Sequence, residues 1–222
     1  MLVALSTFAI ACAPGMMGAP NPAIRAPQAY VSPDMDFTKI GTIGVFPLFP
    51  ASSMSSPYGS VTDDTFGESM VSALSSEVQT RQGQWRMVDY KEMLTLINKA
   101  NLGTGYKNLQ ADMNTSYGGL QGSLVLSPAT RKFMADIQKA AGVDAFLIGS
   151  YTLTREPRAM GSVVTMTRVV DVAEVRLVLF AAKANQAWWT ASVGRFGARE
   201  GIVREIAQSL ATNLGKGTLR QM

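Results

Sequence analysis

Two long β-branched stretches follow one another in the last third of the chain, separated by only five residues. The first, SVVTMTRVVDVAEVRLVLF, covers residues 162–180, and the second, QAWWTASVGRF, begins at residue 186. The first stretch alternates apolar and polar side chains, which is the period-two pattern of a β-strand. The link between them, AAKAN, is too short for a crossover, so the two strands must pair antiparallel. The fold is therefore built on a sheet that contains this hairpin.

Four segments have the spacing of an amphipathic helix, with apolar side chains recurring every three or four residues. They are residues 64–80, YKEMLTLINKAN, LSPATRKFMADIQKAAG and REGIVREIAQSLATNLG. The third is the most clearly delimited, because Ser127 suits the N-cap, Pro128 the first helical position and Gly142 the end.

Three further apolar runs predict strands: KIGTIGVFPLFP, WRMVDY and VDAFLIGSYTL. The last is continuously apolar, which indicates a central position in the sheet. With the helices, the order is β-α-β-α-α-β-β-β-α. A chain of 222 residues with this order is predicted to form a single α/β domain, with a mixed sheet of about five strands and about four helices.

The stretch from residue 103 to 124 has no clear periodicity, and we expect it to be a long loop. It contains Tyr106 and Tyr117, which are candidate partner contacts because aromatic residues are enriched at binding surfaces. Trp188 and Trp189 are candidates for the same reason. Since they are adjacent, a regular strand directs them to opposite faces, so that one lies in the core and the other is available for contact.

The single cysteine, Cys12, lies directly after an apolar run and directly before a segment rich in Pro, Gly and Ala. The sequence Ala9-Ile10-Ala11-Cys12 resembles a bacterial lipobox, in which the cysteine sulfur receives a diacylglycerol and the signal peptide is cut before it. The alternative is a buried cysteine in a short first strand. Ala13 does not resemble the aspartate that retains lipoproteins in the inner membrane, so the expected location is the periplasmic face of the outer membrane.

These features predict an organisation in four parts. Residues 1–11 form a signal peptide of lipoprotein type, and residues 12–36 form a flexible tether because Pro and Gly interrupt any regular element. Residues 37–216 form the α/β domain, and residues 217–222 are a tail.

The composition argues against several classes of function. The chain has no histidine, so the commonest general base and metal ligand are missing. Ser150 has no G-x-S-x-G frame around it, and Asp63 and Asp64 are better placed to cap a helix than to bind a metal. The net charge of +4 is scattered rather than collected in a basic stripe. We therefore expect no enzymatic activity, no metal, no cofactor and no nucleic-acid partner.

The charged fraction points to self-association. Only 16% of the residues are charged, against roughly 25% in soluble domains, which suggests that part of the surface is covered by other copies of the chain. We therefore expect a homo-oligomer.

Five phrases, taken in order and spacing, resemble one family of bacterial lipoproteins. They are IGVFPLF, WRMVDYKEM, AAGVDAFLIGSYTL, EVRLVLFAAKANQAWWTASV and REIAQSLATNL, and together they span about residues 40–214. The family includes the curli secretion channel subunit CsgG, the TolB amino-terminal domain, the penicillin-binding-protein activators and the GNA-type lipoproteins.

This resemblance implies a non-catalytic outer-membrane lipoprotein, anchored by palmitate and other acyl chains, with other envelope proteins as partners. Its role would be that of a structural subunit in a secretion channel or a flagellar outer ring. The alternative is a regulatory adaptor that activates a peptidoglycan synthase.

Overall fold

The computed structural model describes residues 27–51, 64–82, 84–116, 126–159, 167–182 and 186–219. Besides a short 3-10 helix at Phe37–Lys39, eight strands and five α-helices follow one another in these ranges. They are β1 Gln28–Val31, β2 Thr42–Val45, β3 Phe49–Pro50, α1 Asp64–Gln82, β4 Arg86–Val88, α2 Tyr90–Lys99, α3 Gly103–Ser116, α4 Pro128–Ala141, β5 Ala145–Ala159, β6 Thr167–Ala181, β7 Gln186–Gly197, α5 Arg199–Asn213 and β8 Thr218–Leu219.

All eight strands belong to one mixed sheet, whose order is β4-β2-β5-β6-β7-β1-β8, with β3 also beside β5. The neighbours β4, β2 and β5 are parallel, whereas β5, β6, β7 and β1 are antiparallel. The predicted mixed α/β domain is confirmed, and so is the antiparallel hairpin formed by β6 and β7. Asp144 joins two strands at one end, since its carboxylate accepts the backbone N–H groups of Gly41 and Thr42 at 3.0 Å each.

Helices cover both faces of the sheet. The alternating residues Ala173, Val175, Leu177 and Leu179 of β6 face α1 and α5, while the intervening Val178 and Phe180 face α2, α3 and α4. The sheet is thus the middle layer of three, and each face contributes to its own hydrophobic cluster. The first cluster lies under α1 and α5, and the second lies under α2, α3 and α4. The period-two pattern of the sequence therefore corresponds to two buried faces.

The predicted loop over 103–124 is wrong for residues 103–116, which form α3. Leu109 and Met113, one helical turn apart, are fully buried against the second cluster. Gly105 lies so close to the ring of Phe133 on α4 that an added Cβ would come within 2.6 Å of it. With two glycines in its first turn and only two strongly buried positions, this helix has too short an apolar stripe to be recognised by periodicity. Tyr117 lies outside the described residues.

Two short strands lie where the sequence analysis placed irregular chain. Residues 28–31, assigned to the tether, form β1, which pairs with β7 so that Val31 lies opposite Trp189. Thr218 and Leu219, assigned to the tail, form β8 beside β1. Strands of four and two residues carry no recognisable period; β1 forms on the edge that β7 offers, and β8 forms on the edge of β1. The predicted signal peptide and residues 12–26 of the predicted tether lie outside the described residues.

Candidate functional site

Strands β5 and β6 extend farther than their neighbour β7. Their pairing runs from Ala145 opposite Ala181 to Ala159 opposite Thr167, whereas β7 pairs with β6 only as far as Asp171. Residues 155–159 and 167–170 therefore form a two-stranded projection, which we call the arm. In the described chain, the β6 strand of the arm has a β-partner on one side only.

The arm is exposed on that side because β7 turns out of the sheet. Its last residue, Gly197, has a φ of 145°, a conformation that side-chain-bearing residues rarely adopt. Ala198 follows, and α5 begins at Arg199. An open notch of about 370 Å³ lies between the diverging elements, lined by residues 169–171 of β6, by Arg155 of β5 and by residues 197–199.

One carboxylate and two guanidinium groups form the charged part of the notch. Asp171 accepts from Arg155 Nε at 3.1 Å through one oxygen and from Arg199 Nε at 3.0 Å through the other. The side chain of Asp171 is 13% exposed and that of Arg155 is 60% exposed. Asp171 is thus shared between two guanidinium groups, and the guanidinium of Arg155 is the more exposed of the two.

Val169 adds an apolar group beside these charges. It is 65% exposed, and it is the one large hydrophobic side chain found exposed among those whose burial the structure describes. Because Val169 and Asp171 are two residues apart on β6, their side chains lie on the same face of the strand. The notch therefore combines an exposed apolar contact with a positively charged wall, a pairing suited to binding another chain.

The predicted contact residue Tyr106 packs against the core of the domain. Its ring stacks on that of Phe46 with a centroid separation of 6.2 Å and lies 5.6 Å from that of Phe49. Burial raises the pKa of Tyr106 to about 12. The side chain is half-buried and packs on the second cluster, so its observed contacts are those of a core residue.

The prediction that Trp188 and Trp189 point to opposite faces is wrong. Leu179 pairs with Trp189 and the next residue, Phe180, pairs with Ala187, so Trp188 is the extra residue of a β-bulge. Both indoles belong to the cluster under α1 and α5, and they are 8% and 0% exposed. Trp189 Nε1 donates to the carbonyl of Lys216 at 3.1 Å. Neither side chain offers an exposed surface to a partner.

Cys12 lies outside the described residues, and the structure provides no information about its environment. Across the described ranges, no helix is long and apolar enough to span a membrane, and no cluster of three acidic, cysteine or histidine side chains is placed to bind a metal.

The sequence analysis missed the residues of the notch, although one signal was present. Arg155 and Asp171 lie on the same strand face as the buried apolar residues Leu153 and Ala173, and a charge that follows such a pattern calls for a partner.

No family model matches this chain, and no curated protein matches it. Some solved structures resemble it. The PelC dodecamer from Paraburkholderia phytofirmans is 14% identical, with 88% of this chain and 99% of that chain covered, at a TM-score of 0.41. The LpoB C-terminal domain from Escherichia coli is 15% identical, with 72% of this chain and 86% of that chain covered, at a TM-score of 0.38. Lipoprotein GNA1162 from Neisseria meningitidis is 10% identical, with 78% of this chain and 97% of that chain covered, at a TM-score of 0.37.

Proposed function

We propose that this chain is a non-catalytic lipoprotein, anchored through Cys12 at the periplasmic face of the outer membrane, and that it is a structural subunit of an envelope assembly. The assembly would be of the secretion-channel or flagellar outer-ring type. The observation that carries the proposal is the arm, because the exposed side chain of Val169 and the exposed guanidinium of Arg155 lie together there in a surface suited to protein contact.

The chemistry of the notch supports binding rather than catalysis. Its lining contains two guanidinium groups and one carboxylate that both of them share. Nucleophilic catalysis needs a hydroxyl, thiol or amine beside a base, and the notch lining has the Asp171 carboxylate but none of these three nucleophiles. A paired carboxylate of this kind holds two arginines in place and keeps a positive surface available to a ligand.

Composition supports assembly into oligomers. The low charge content agrees with a surface that is partly covered in use. Contacts between unlike patches on neighbouring copies close into a ring when the rotation between copies permits.

The anchor is tested by labelling cells with radioactive palmitate. The wild-type chain should incorporate the label and fractionate with the outer membrane, and the Cys12→Ser variant should lose the label and move to the soluble periplasmic fraction. Cys12 is the only cysteine, so no other thiol can take up a diacylglycerol in its place. Equal labelling of both proteins would contradict the proposed anchor.

Subunit assembly is tested by light scattering on the Cys12→Ser chain, since acyl chains would form micelles. Masses several times 23.8 kDa at micromolar concentration are expected. A regulatory adaptor that activates a peptidoglycan synthase is the second candidate, and the charged notch favours it because such a surface suits a partner of different sequence. A monomer throughout that concentration range would reject the structural-subunit proposal in favour of the adaptor.

A further inference from the structure

We propose that the notch binds an extended acidic segment of a partner protein, which adds as a short strand to the edge of β6 that β7 leaves uncovered. This inference rests on the proposed role of the arm as a contact surface. It specifies the chemistry of the partner, which the proposed function leaves undefined.

The backbone of β6 provides the template for such a strand. Between residues 167 and 170 the strand pairs with β5, while on its other side β7 ends at Gly197, opposite Asp171. A segment lying in line with β7 would meet an edge of four residues, about 13 Å long at the usual rise per residue. Extended peptides commonly bind by adding a strand to such an edge, because the main chain supplies the hydrogen bonds.

The side chains beside this edge determine which segment fits. On the face shared by Val169 and Asp171, an added strand would place alternate side chains toward the two arginines. Arg155 is 60% exposed, and its Nε bond to Asp171 uses only one of its five N–H donors. A glutamate or aspartate at this position would accept from the guanidinium in a charge-assisted hydrogen bond.

The exposed Val169 determines which side chain is expected at the next position on the same face of the added strand. A residue of the added strand two places from the carboxylate lies on the same face, near Val169, where an apolar side chain would cover the exposed isopropyl group. The expected motif is therefore an acidic and an apolar residue separated by one position. A lysine or arginine in the acidic position would meet the exposed guanidinium of Arg155 and would be repelled.

Fluorescence anisotropy on the full chain carrying Cys12→Ser tests the inference. The probe is a labelled, end-blocked peptide in which valine and glutamate alternate, and the comparison peptide has lysine in place of glutamate. The glutamate peptide should bind saturably and the lysine peptide at least about tenfold more weakly, the factor that corresponds to losing one charge-assisted hydrogen bond.

Matched variants connect the binding to the notch. Arg155→Ala should weaken the glutamate peptide about tenfold, and Val169→Thr should weaken it severalfold. Arg131→Ala removes an exposed arginine of α4 and should leave binding unchanged, which controls for overall charge. Thermal melting of each variant confirms that it is folded. Neighbouring residues of a strand direct their N–H groups to opposite sides, so bound peptide should also slow amide exchange at the one of Val169 and Val170 whose N–H points to the open edge. Binding through side chains alone would not slow it.

Three results would overturn the inference: similar affinity for the lysine and glutamate peptides, no loss of affinity in Arg155→Ala, or unchanged amide exchange at both Val169 and Val170. If the peptide fails to bind and the arm is protected in oligomers of the chain itself, a second copy occupies the notch, and the proposed subunit role still stands. If the peptide binds but palmitate is not incorporated, the lipoprotein proposal fails and the inference is retained.

Discussion

Replacing Gly149 by alanine should destabilise the protein by about 3 kcal/mol, at the upper end of the usual cost of overpacking. Gly149 lies in the middle of β5, opposite Leu177 of β6. An added Cβ would come within 2.5 Å of the carbonyl oxygen of Arg176 and 2.5 Å of Leu177 Cδ2. A leucine methyl group can rotate away, but the carbonyl belongs to the β6 backbone, which is hydrogen-bonded to strands on both sides. Relieving this contact therefore requires β5 and β6 to shift relative to each other.

Thermal melting of the Cys12→Ser chain followed by circular dichroism measures this cost. For a protein of this size each kcal/mol shifts the Tm by about 2–4 °C, so Gly149→Ala should lower it by about 6–12 °C. The matched control is Gly201→Ala in α5, where an added Cβ has nothing within 4 Å. It should raise stability by about 0.5–1 kcal/mol, because alanine favours the helix and restricts the unfolded chain. A cost below about 1 kcal/mol for Gly149→Ala, or equal losses in both variants, would refute the close strand approach.

Three further results are expected from the same chain. Gly105→Ala should cost about 2 kcal/mol in urea unfolding, because its Cβ would meet the Phe133 ring, and unchanged stability would show that α3 does not pack there. Tyr106, with a pKa raised by burial to about 12, should make stability fall as the pH rises above about 10, where unfolded tyrosine ionises, and Tyr106→Phe should reduce that fall. Burial raises the pKa of Asp112, but hydrogen bonds from Thr130 and Ser127 outweigh it and bring the pKa below its ordinary value. The stabilisation by the ionised Asp112 should therefore be lost as the pH falls below about 4. The free energy of unfolding of Asp112→Asn should depend less on pH in that range.

The elements that were predicted correctly are those whose pattern is local. Helix α4 carries its own boundary signals, since Ser127 accepts from the N–H of Thr130 and Gly142 has a φ of 62°. The hairpin of β6 and β7 follows from two long alternating stretches and a link too short for any other connection.

Elements that depend on a distant partner were not predictable in this way. Helix α3 has little periodicity of its own and is held by α4, and β1 and β8 are too short to be recognised without the strand edge beside them. The two tryptophans show the same limit. Period two predicts opposite faces, but the pairing of β7 with β6 inserts a bulge at Trp188, and this places both side chains in one cluster.

From the sequence alone came the α/β class, the order of the main elements, and the prediction of an anchored chain at Cys12, because composition, periodicity and short motifs are properties of neighbouring residues. The notch depended on the tertiary structure. Asp171 lies 16 positions from Arg155 and 28 from Arg199, and these separations carry no signal of proximity. The three side chains meet because β5 and β6 pair to the end of the arm while Gly197 lets β7 turn into α5 beside them.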